Sequence, residues 1–348
     1  MTCLRTLIIL AFLFNGNASA KGIEKNKLEA TFKNAAANYD FHNIGLVLYD
    51  QNNKAIFKST IGKMDPKKPI AIASSSKWIT TVILMRLVEK NVLSLDTKLG
   101  DIFKEIVILD PRAREIKLRH LLSFQSGYVG DHPCTVDYKE TLDHCVETIL
   151  KLKLLENPET AFRYGNVNQE IAARMAEIVT KKSWNQILKS ELVDFFKMHP
   201  DTTYYTHPRD KLGGKKPLPS AGLLISPVDY AKVLTMFLND GVYKKEVFIS
   251  KKYLGEMFKS QFSKDMKGIY SSPFQYVNPD VPYGFGAWIE SENIISSPGA
   301  FGFVPWIDRK NKYSGILFQV NMVTKSLKRN YMIIYKIRDQ IEKGLLPK

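Results

Sequence analysis

Between Trp78 and Val88 the chain is apolar nearly all the way round a helix, with Ile79, Val82, Ile83, Leu84, Leu87 and Val88 on successive faces. Such a helix has no side to give to water, so it must run through the middle of a core and be covered by other elements. The chain can supply that cover: it has 348 residues, 45% of them apolar. Composition therefore excludes wholesale disorder, and Gly (20) and Pro (16) near average levels exclude a collagen-like chain. No self-similarity at 20 to 50 residues suggests a solenoid or propeller.

What surrounds that helix is legible in outline. Residues 25–39 suit a helix, and 44–49 and 54–60 read as two strands about the turn Asp50-Gln51-Asn52-Asn53. A mostly helical stretch runs to about residue 200, with a loop near 128–135. Ser226-Pro227-Val228-Asp229 opens another helix with a cap, a first-turn Pro and a third-position acid, and Gly241 closes it. The last third turns to strands at 283–290, 303–308 and 314–320. A final helix carries Ile334, Ile337, Ile341 and Leu345 on one face. Packing on the sheet is the expected fate of that face; membrane-surface binding is the alternative. The fold class is α/β (α+β): an antiparallel sheet flanked by terminal helices, with a helical lobe inserted in sequence.

The first 20 residues read as an export signal: Arg5, an apolar stretch from Leu7 to Phe14, and Ala18-Ser19-Ala20 before Lys21. The expected division is thus a signal peptide at 1–20 and one domain at 21–348. Its sheet region is 21–73 and 228–348, and its helical region is 74–227. The expected location is periplasmic or extracellular. Loss of Cys3 with the signal leaves Cys134 and Cys145, which in an oxidising compartment read as one disulfide; two buried thiols are the alternative. No metal is expected, because His42, His120, His132, His144, His199 and His207 show no ligand spacing. The net charge of +15 is spread along the chain without a nucleic-acid-binding motif, so no nucleic-acid partner is expected. No later segment is long enough to span a membrane.

The chemistry concentrates where the apolar helix begins, in Ser74-Ser75-Ser76-Lys77. A hydroxyl is a poor nucleophile until a base takes its proton. If the helix starts near Ser74, positions i and i+3 share a face, so the Lys77 amine can reach the Ser74 hydroxyl. The apolar surroundings lower the lysine's pKa, and the positive end of the helix favours an oxyanion. No other Ser in the chain has Lys three residues on.

Several stretches around this one resemble a known family. Ala71 to Lys77, followed by Leu84-Met85-Arg86-Leu87-Val88-Glu89-Lys90 and Leu93-Ser94-Leu95-Asp96, is similar to the nucleophile helix of the class C-like β-lactamase and penicillin-binding serine hydrolases. Ile116 to Gly127, Pro158 to Asn166 and Ser220 to Ser226 match further family stretches in the same order. The resemblance covers roughly residues 40–320 and implies a β-lactamase/transpeptidase-like fold. It also implies that Tyr164, in Tyr164-Gly165-Asn166, shuttles a proton beside Ser74 and Lys77, with its pKa lowered by the lysine charge, while Asn166 donates its amide to a substrate carbonyl. A second such tripeptide, Tyr276-Val277-Asn278, lacks the flanks and reads as a turn.

The third family element departs from pattern. Where Lys-Thr-Gly or His-x-Gly is usual, this chain has Ser297-Pro298-Gly299. The resemblance implies that Gly299 brings the backbone close and that the Ala300 N–H joins the Ser74 N–H as an oxyanion hole. Ser297 stands where a base would hold a substrate carboxylate. The implied activity is a serine hydrolase forming an acyl-enzyme on an ester or amide, of esterase or penicillin-recognising peptidase type, without cofactor. Its substrate is a small molecule or peptide, cell-wall peptides included. The competing readings are a catalytically inactive envelope protein that binds peptidoglycan or a partner, and a true β-lactamase.

Overall fold

The computed structural model describes residues 25–206, 216–263, 266–270 and 280–319. The signal segment, the C-terminal helix and the second Tyr-x-Asn at 276–278 lie outside the described residues. Helix α1 (Lys25–Asn38) leads into strands β1 (Ile44–Asp50) and β2 (Ala55–Ile61). A two-residue strand β3 (Ile70–Ala71) then precedes helix α2 (Ser76–Glu89). The helical lobe follows, with α3 (Leu142–Leu150) and α4 (Val167–Thr180), and a short strand β4 (Leu223–Ile225) returns the chain to helix α5 (Pro227–Leu238). Strands β5 (Trp288–Ile289), β6 (Ile294–Ser296), β7 (Val304–Asp308) and β8 (Tyr313–Gln319) complete the order.

Among the described residues six strands form one antiparallel sheet in the order β5-β6-β7-β8-β1-β2. Strands β1 and β8, far apart in sequence, thus pair inside the sheet, where Leu46 lies opposite Leu317. Side chains alternate across a strand, and both faces of this sheet are covered. Ile44, Leu46 and Leu48 pack with Leu28, Phe32 and Ala36 of α1, whereas Val47 and Tyr49 join the larger core that contains α2.

Helix α2 is the centre expected from its sequence: Ser76 to Met85, Leu87 and Val88 are all buried. Each large apolar side chain so buried contributes about 1.5–3 kcal/mol. Helix α5 starts at a Ser226 cap, whose hydroxyl accepts from the Asp229 N–H at 3.0 Å, and has Pro227 in its first turn. It lies between the sheet and α2, with Phe237 stacked on Trp78 at 4.8 Å between ring centroids. The expected strand at 283–290 is shorter than the sequence suggests. Gly284 and Gly286 break it, Tyr283 only bridges Trp288, and β6 is an extra strand. Among the described residues no helix is long and apolar enough to cross a membrane.

Candidate active site

Strand β3 pairs with β4 (Ile70 with Ile225, Ala71 with Leu224), and the Ile72 N–H donates to the Leu223 carbonyl at 3.2 Å. The chain then turns sharply. Ala73 has φ +47°, and a single 3-10 turn, Ala73–Ser75, feeds α2. A non-glycine residue held there stores about 1–3 kcal/mol of strain. Hence Ser74 sits in the turn before the α-helix rather than inside it.

The three consecutive serines have different surroundings. The Ser76 hydroxyl donates to the Ala73 carbonyl at 2.6 Å and accepts from the Leu223 N–H at 3.0 Å, locking the turn to β4. The Ser75 hydroxyl shares its proton between the carbonyls of Ser297 (2.6 Å) and Phe303 (2.8 Å). Both side chains are buried, and only Ser74 is partly exposed.

Lys77 is 1% exposed, and its amine has three acceptors: Ser220 O at 3.0 Å, Ser74 Oγ at 3.3 Å and Asn166 Oδ1 at 3.4 Å. Two of these can only accept. A neutral amine, with two protons and one lone pair, satisfies both by giving them its protons, which leaves the lone pair for the Ser74 hydroxyl. Burial lowers the lysine's pKa to about 8, against the opposing pull of Asp131 and Glu170. The Gln169 amide fixes the helix turn behind the amine by donating to Lys77 O and Thr81 Oγ1, both at 3.1 Å.

Tyr164 lies on the other side of the amine, its ring centroid 4.9 Å from Lys77 Nζ, and its phenol meets the Ser74 hydroxyl. Its ring packs against Phe124 (5.2 Å) and Trp288 (5.6 Å). The expectation that Lys77 lowers the phenol's pKa is overturned. Burial among these aromatics raises it well above the ordinary value, and the Ser74 contact offsets only part of the rise. Tyr164 is therefore a neutral phenol near pH 7. Asn166 is held by its own N–H, which donates to Gly130 O (2.8 Å) and Asp131 Oδ1 (2.9 Å). With Oδ1 turned to Lys77, its amide NH₂ is left as a donor.

The third element lies against the start of this turn. A Cβ on Gly299 would sit 2.1 Å from Ile72 O and 3.1 Å from Ser75 N, so only glycine allows the approach. Gly299 N–H donates to Phe303 O (2.8 Å) and Gly302 N–H to Gly299 O (2.9 Å), a tight turn that includes Ala300 and whose Gly299 lies against Ile72 and Ser75. Ser297 is buried, and its hydroxyl is 3.4 Å from the Gly286 carbonyl.

Four groups around the amine and its carboxyl neighbour were not singled out from sequence: Asp131, Glu170 and the carbonyl of Ser220, which act on Lys77, and Lys216, which acts on Glu170. Glu170 alone left a signal, as a lone acid early in the apolar-faced helix α4. Cys134 and Cys145 are paired in the structure, with Cα atoms 5.4 Å apart, joining the turn Pro133–Thr135 to α3.

A β-lactamase family model matches residues 28–331. Penicillin-binding protein 4 of Amycolatopsis lactamdurans is 28% identical over 194 residues, 49% of this chain and 50% of that protein, so the match spans about half its length. The lovastatin esterase of Penicillium rubens is 24% identical over 335 residues, covering 76% of this chain and 84% of the esterase. A crystal structure from Bacteroides dorei DSM 17855, of a protein named only provisionally as a β-lactamase, superposes with a TM-score of 0.78 at 22% identity. It covers 91% of this chain and 98% of its own, a likeness of fold.

Proposed function

Because the chain belongs to the β-lactamase family, whose members are serine hydrolases, we propose that it is an exported serine hydrolase that acts on an ester or amide through an acyl-enzyme. The observation that carries this reading is the placement of the Lys77 amine 3.3 Å from the Ser74 hydroxyl, with both of its other acceptors being carbonyl oxygens. In the neutral state Lys77 accepts the Ser74 proton as Oγ attacks the carbonyl carbon. The tetrahedral oxyanion is taken by the N–H groups of Ser74 and Ala300, and each such donor is worth about 3–4 kcal/mol of barrier. Asn166 orients the substrate carbonyl side with its NH₂. The neutral Tyr164 phenol passes a proton to the departing oxygen or nitrogen and regains one from Lys77. Water then hydrolyses the acyl-Ser74 by the reverse proton route.

A neutral ester fits better than a penicillin. The position that would bind a carboxylate with a Lys or His is Ser297, and its short side chain is buried against Gly286. The lovastatin esterase among the relatives supports the same preference. The test is a fluorophosphonate probe alongside parallel assays with p-nitrophenyl esters and a chromogenic cephalosporin. Labelling of wild type but not Ser74→Ala, with ester turnover at least a hundredfold above cephalosporin turnover, is the expected result. Folded protein that takes no label and turns over no ester would instead make the chain a binding protein.

A further inference from the structure

Glu170 is a fully buried carboxyl that the acyl-transfer steps above do not use. It extends from α4 toward the segment before β4, where its Oε1 accepts from the Ser220 hydroxyl at 3.0 Å and from the Ser220 N–H at 3.4 Å. Its Oε2 is buried with no hydrogen-bond partner among the described residues. The carbonyl of the same Ser220 is the nearest acceptor of the Lys77 amine, at 3.0 Å. One residue therefore links the two buried charges: the carboxylate grips its hydroxyl and N–H, and the amine grips its carbonyl.

A second buried cation, Lys216, also favours the ionised form of this carboxyl. Lys216 acts on Glu170, and its amine donates to the carbonyls of Cys134 (2.5 Å) and Thr135 (2.7 Å), within the turn closed by the cysteine pair. The charged and titratable groups acting on Lys77 are Asp131, Glu170 and the Tyr164 ring, and those acting on or with Glu170 are Lys77, Lys216 and Tyr204. Burying a carboxyl this deeply is costly unless it is hydrogen-bonded and paired. Here the hydrogen bonds to Oε1 come from the segment that touches the reactive amine, and the charges of Lys216 and Lys77 favour the carboxylate form.

We propose that Glu170 is a positioning residue that acts through Ser220 to hold the Lys77 amine on Ser74 and couples the charge of that amine to its own. This rests on the hydrolase reading only for its effect on rate; the coupling itself is a property of the fold. An ionised Glu170 favours the protonated amine, and a neutral residue at 170 favours the free base that receives the Ser74 proton.

The experiment uses full-length protein carrying lysine labelled with ¹³C at Cε, with the Lys77 resonance assigned by its loss in Lys77→Met. The Lys77 titration and the pH profile of kcat/KM on p-nitrophenyl acetate are measured in wild type, Glu170→Gln, Glu170→Leu and Ser220→Ala. In Glu170→Gln, which keeps an acceptor for Ser220 but loses the charge, the Lys77 midpoint falls by about one unit, and the acid limb of the rate profile moves with it. In Glu170→Leu, which breaks the link, and in Ser220→Ala, which removes its stronger 3.0 Å hydroxyl arm and leaves only the 3.4 Å N–H contact, the plateau rate falls about tenfold or more. Should Glu170→Leu not fold, Ser220→Ala carries that arm. An unchanged Lys77 midpoint in Glu170→Gln, or a wild-type plateau in Ser220→Ala, overturns the proposal. A shifted midpoint in a protein that hydrolyses nothing would retain the coupling and discard the hydrolase reading.

Discussion

The Lys77 amine lies closer to the carbonyl oxygen of Ser220, at 3.0 Å, than to the hydroxyl of Ser74, at 3.3 Å. A carbonyl cannot give a proton, so the Ser220 and Asn166 oxygens absorb two N–H bonds in every protonation state. Whether the third position carries a proton or a lone pair decides whether Ser74 can be activated.

The pH dependence of acylation follows. With the Lys77 pKa lowered to about 8, the free amine is the minor form at neutral pH and the major form only above about pH 8. On p-nitrophenyl acetate, kcat/KM is expected to rise about tenfold per pH unit below 8 and to level off above it. Lys77→Arg, which stays charged throughout, is expected to lower kcat/KM by about 10²–10⁴ and to abolish the rise. Stopped-flow rates corrected for spontaneous ester hydrolysis measure both.

The turn proposed to supply the Ala300 N–H is held by the Ser75 hydroxyl and by the close approach of Gly299. Removing the Ser75 hydroxyl in Ser75→Ala leaves the Ser297 and Phe303 carbonyls without their shared donor. The expected cost is about 1–3 kcal/mol in unfolding free energy. Gly299→Ala forces a Cβ toward Ile72 O, which must open the turn, and an acylation loss of about 10²–10³ is expected. Urea unfolding read beside fluorophosphonate labelling rates separates the two effects: the first variant loses mainly stability, the second mainly rate.

Much of this site is legible in sequence because it is built from local spacing. Ser74 and Lys77 are one helical turn apart, and the apolar run after them foretells burial of the amine. Tyr164 and Asn166 are found by resemblance of their flanks. The rest depends on contacts between residues far apart in the chain: Ser75 meets Ser297 and Phe303, and Glu170 meets Ser220. Periodicity carries no trace of such pairings. The phenol's pKa is misjudged for the same reason, since the charge of Lys77 is visible in sequence but the aromatic cage of Phe124 and Trp288 is not. Likewise β6 escapes notice, because three residues between turns are too few to show an alternation.

Pairing of Cys134 with Cys145 closes a short loop of sequence separation 11, worth about 3 kcal/mol by chain entropy. The Cys134 carbonyl also holds the Lys216 amine. In Cys145→Ser the melting temperature is expected to fall, and the acylation rate to fall by a few-fold as Lys216 loosens behind Glu170. Thiol titration of denatured protein without reductant checks the pairing directly: none is expected from a chain that has lost residues 1–20, and two would refute it. N-terminal sequencing of protein secreted by an exporting host is expected to begin at Lys21.

Stability ought to dip near pH 7 to 8 as a consequence of the two buried charges. Glu170 titrates near 7 in the fold against an ordinary 4.5, so between those values the folded chain keeps a proton that the unfolded chain has released. Stability from this group is therefore full below pH 4.5 and is lost as pH rises through 7. Lys77 titrates near 8 against an ordinary 10.5, so between those values the unfolded chain holds the extra proton, and stability rises with pH across that window. Each group spans up to about 3 kcal/mol. Urea unfolding of wild type and Glu170→Gln at pH 5 and 7.5 isolates the acidic limb. The variant is expected to gain on wild type by about 1–3 kcal/mol as pH rises between these points. A difference between the two proteins that stays flat with pH would mean that the Glu170 carboxyl titrates in the fold as it does in water.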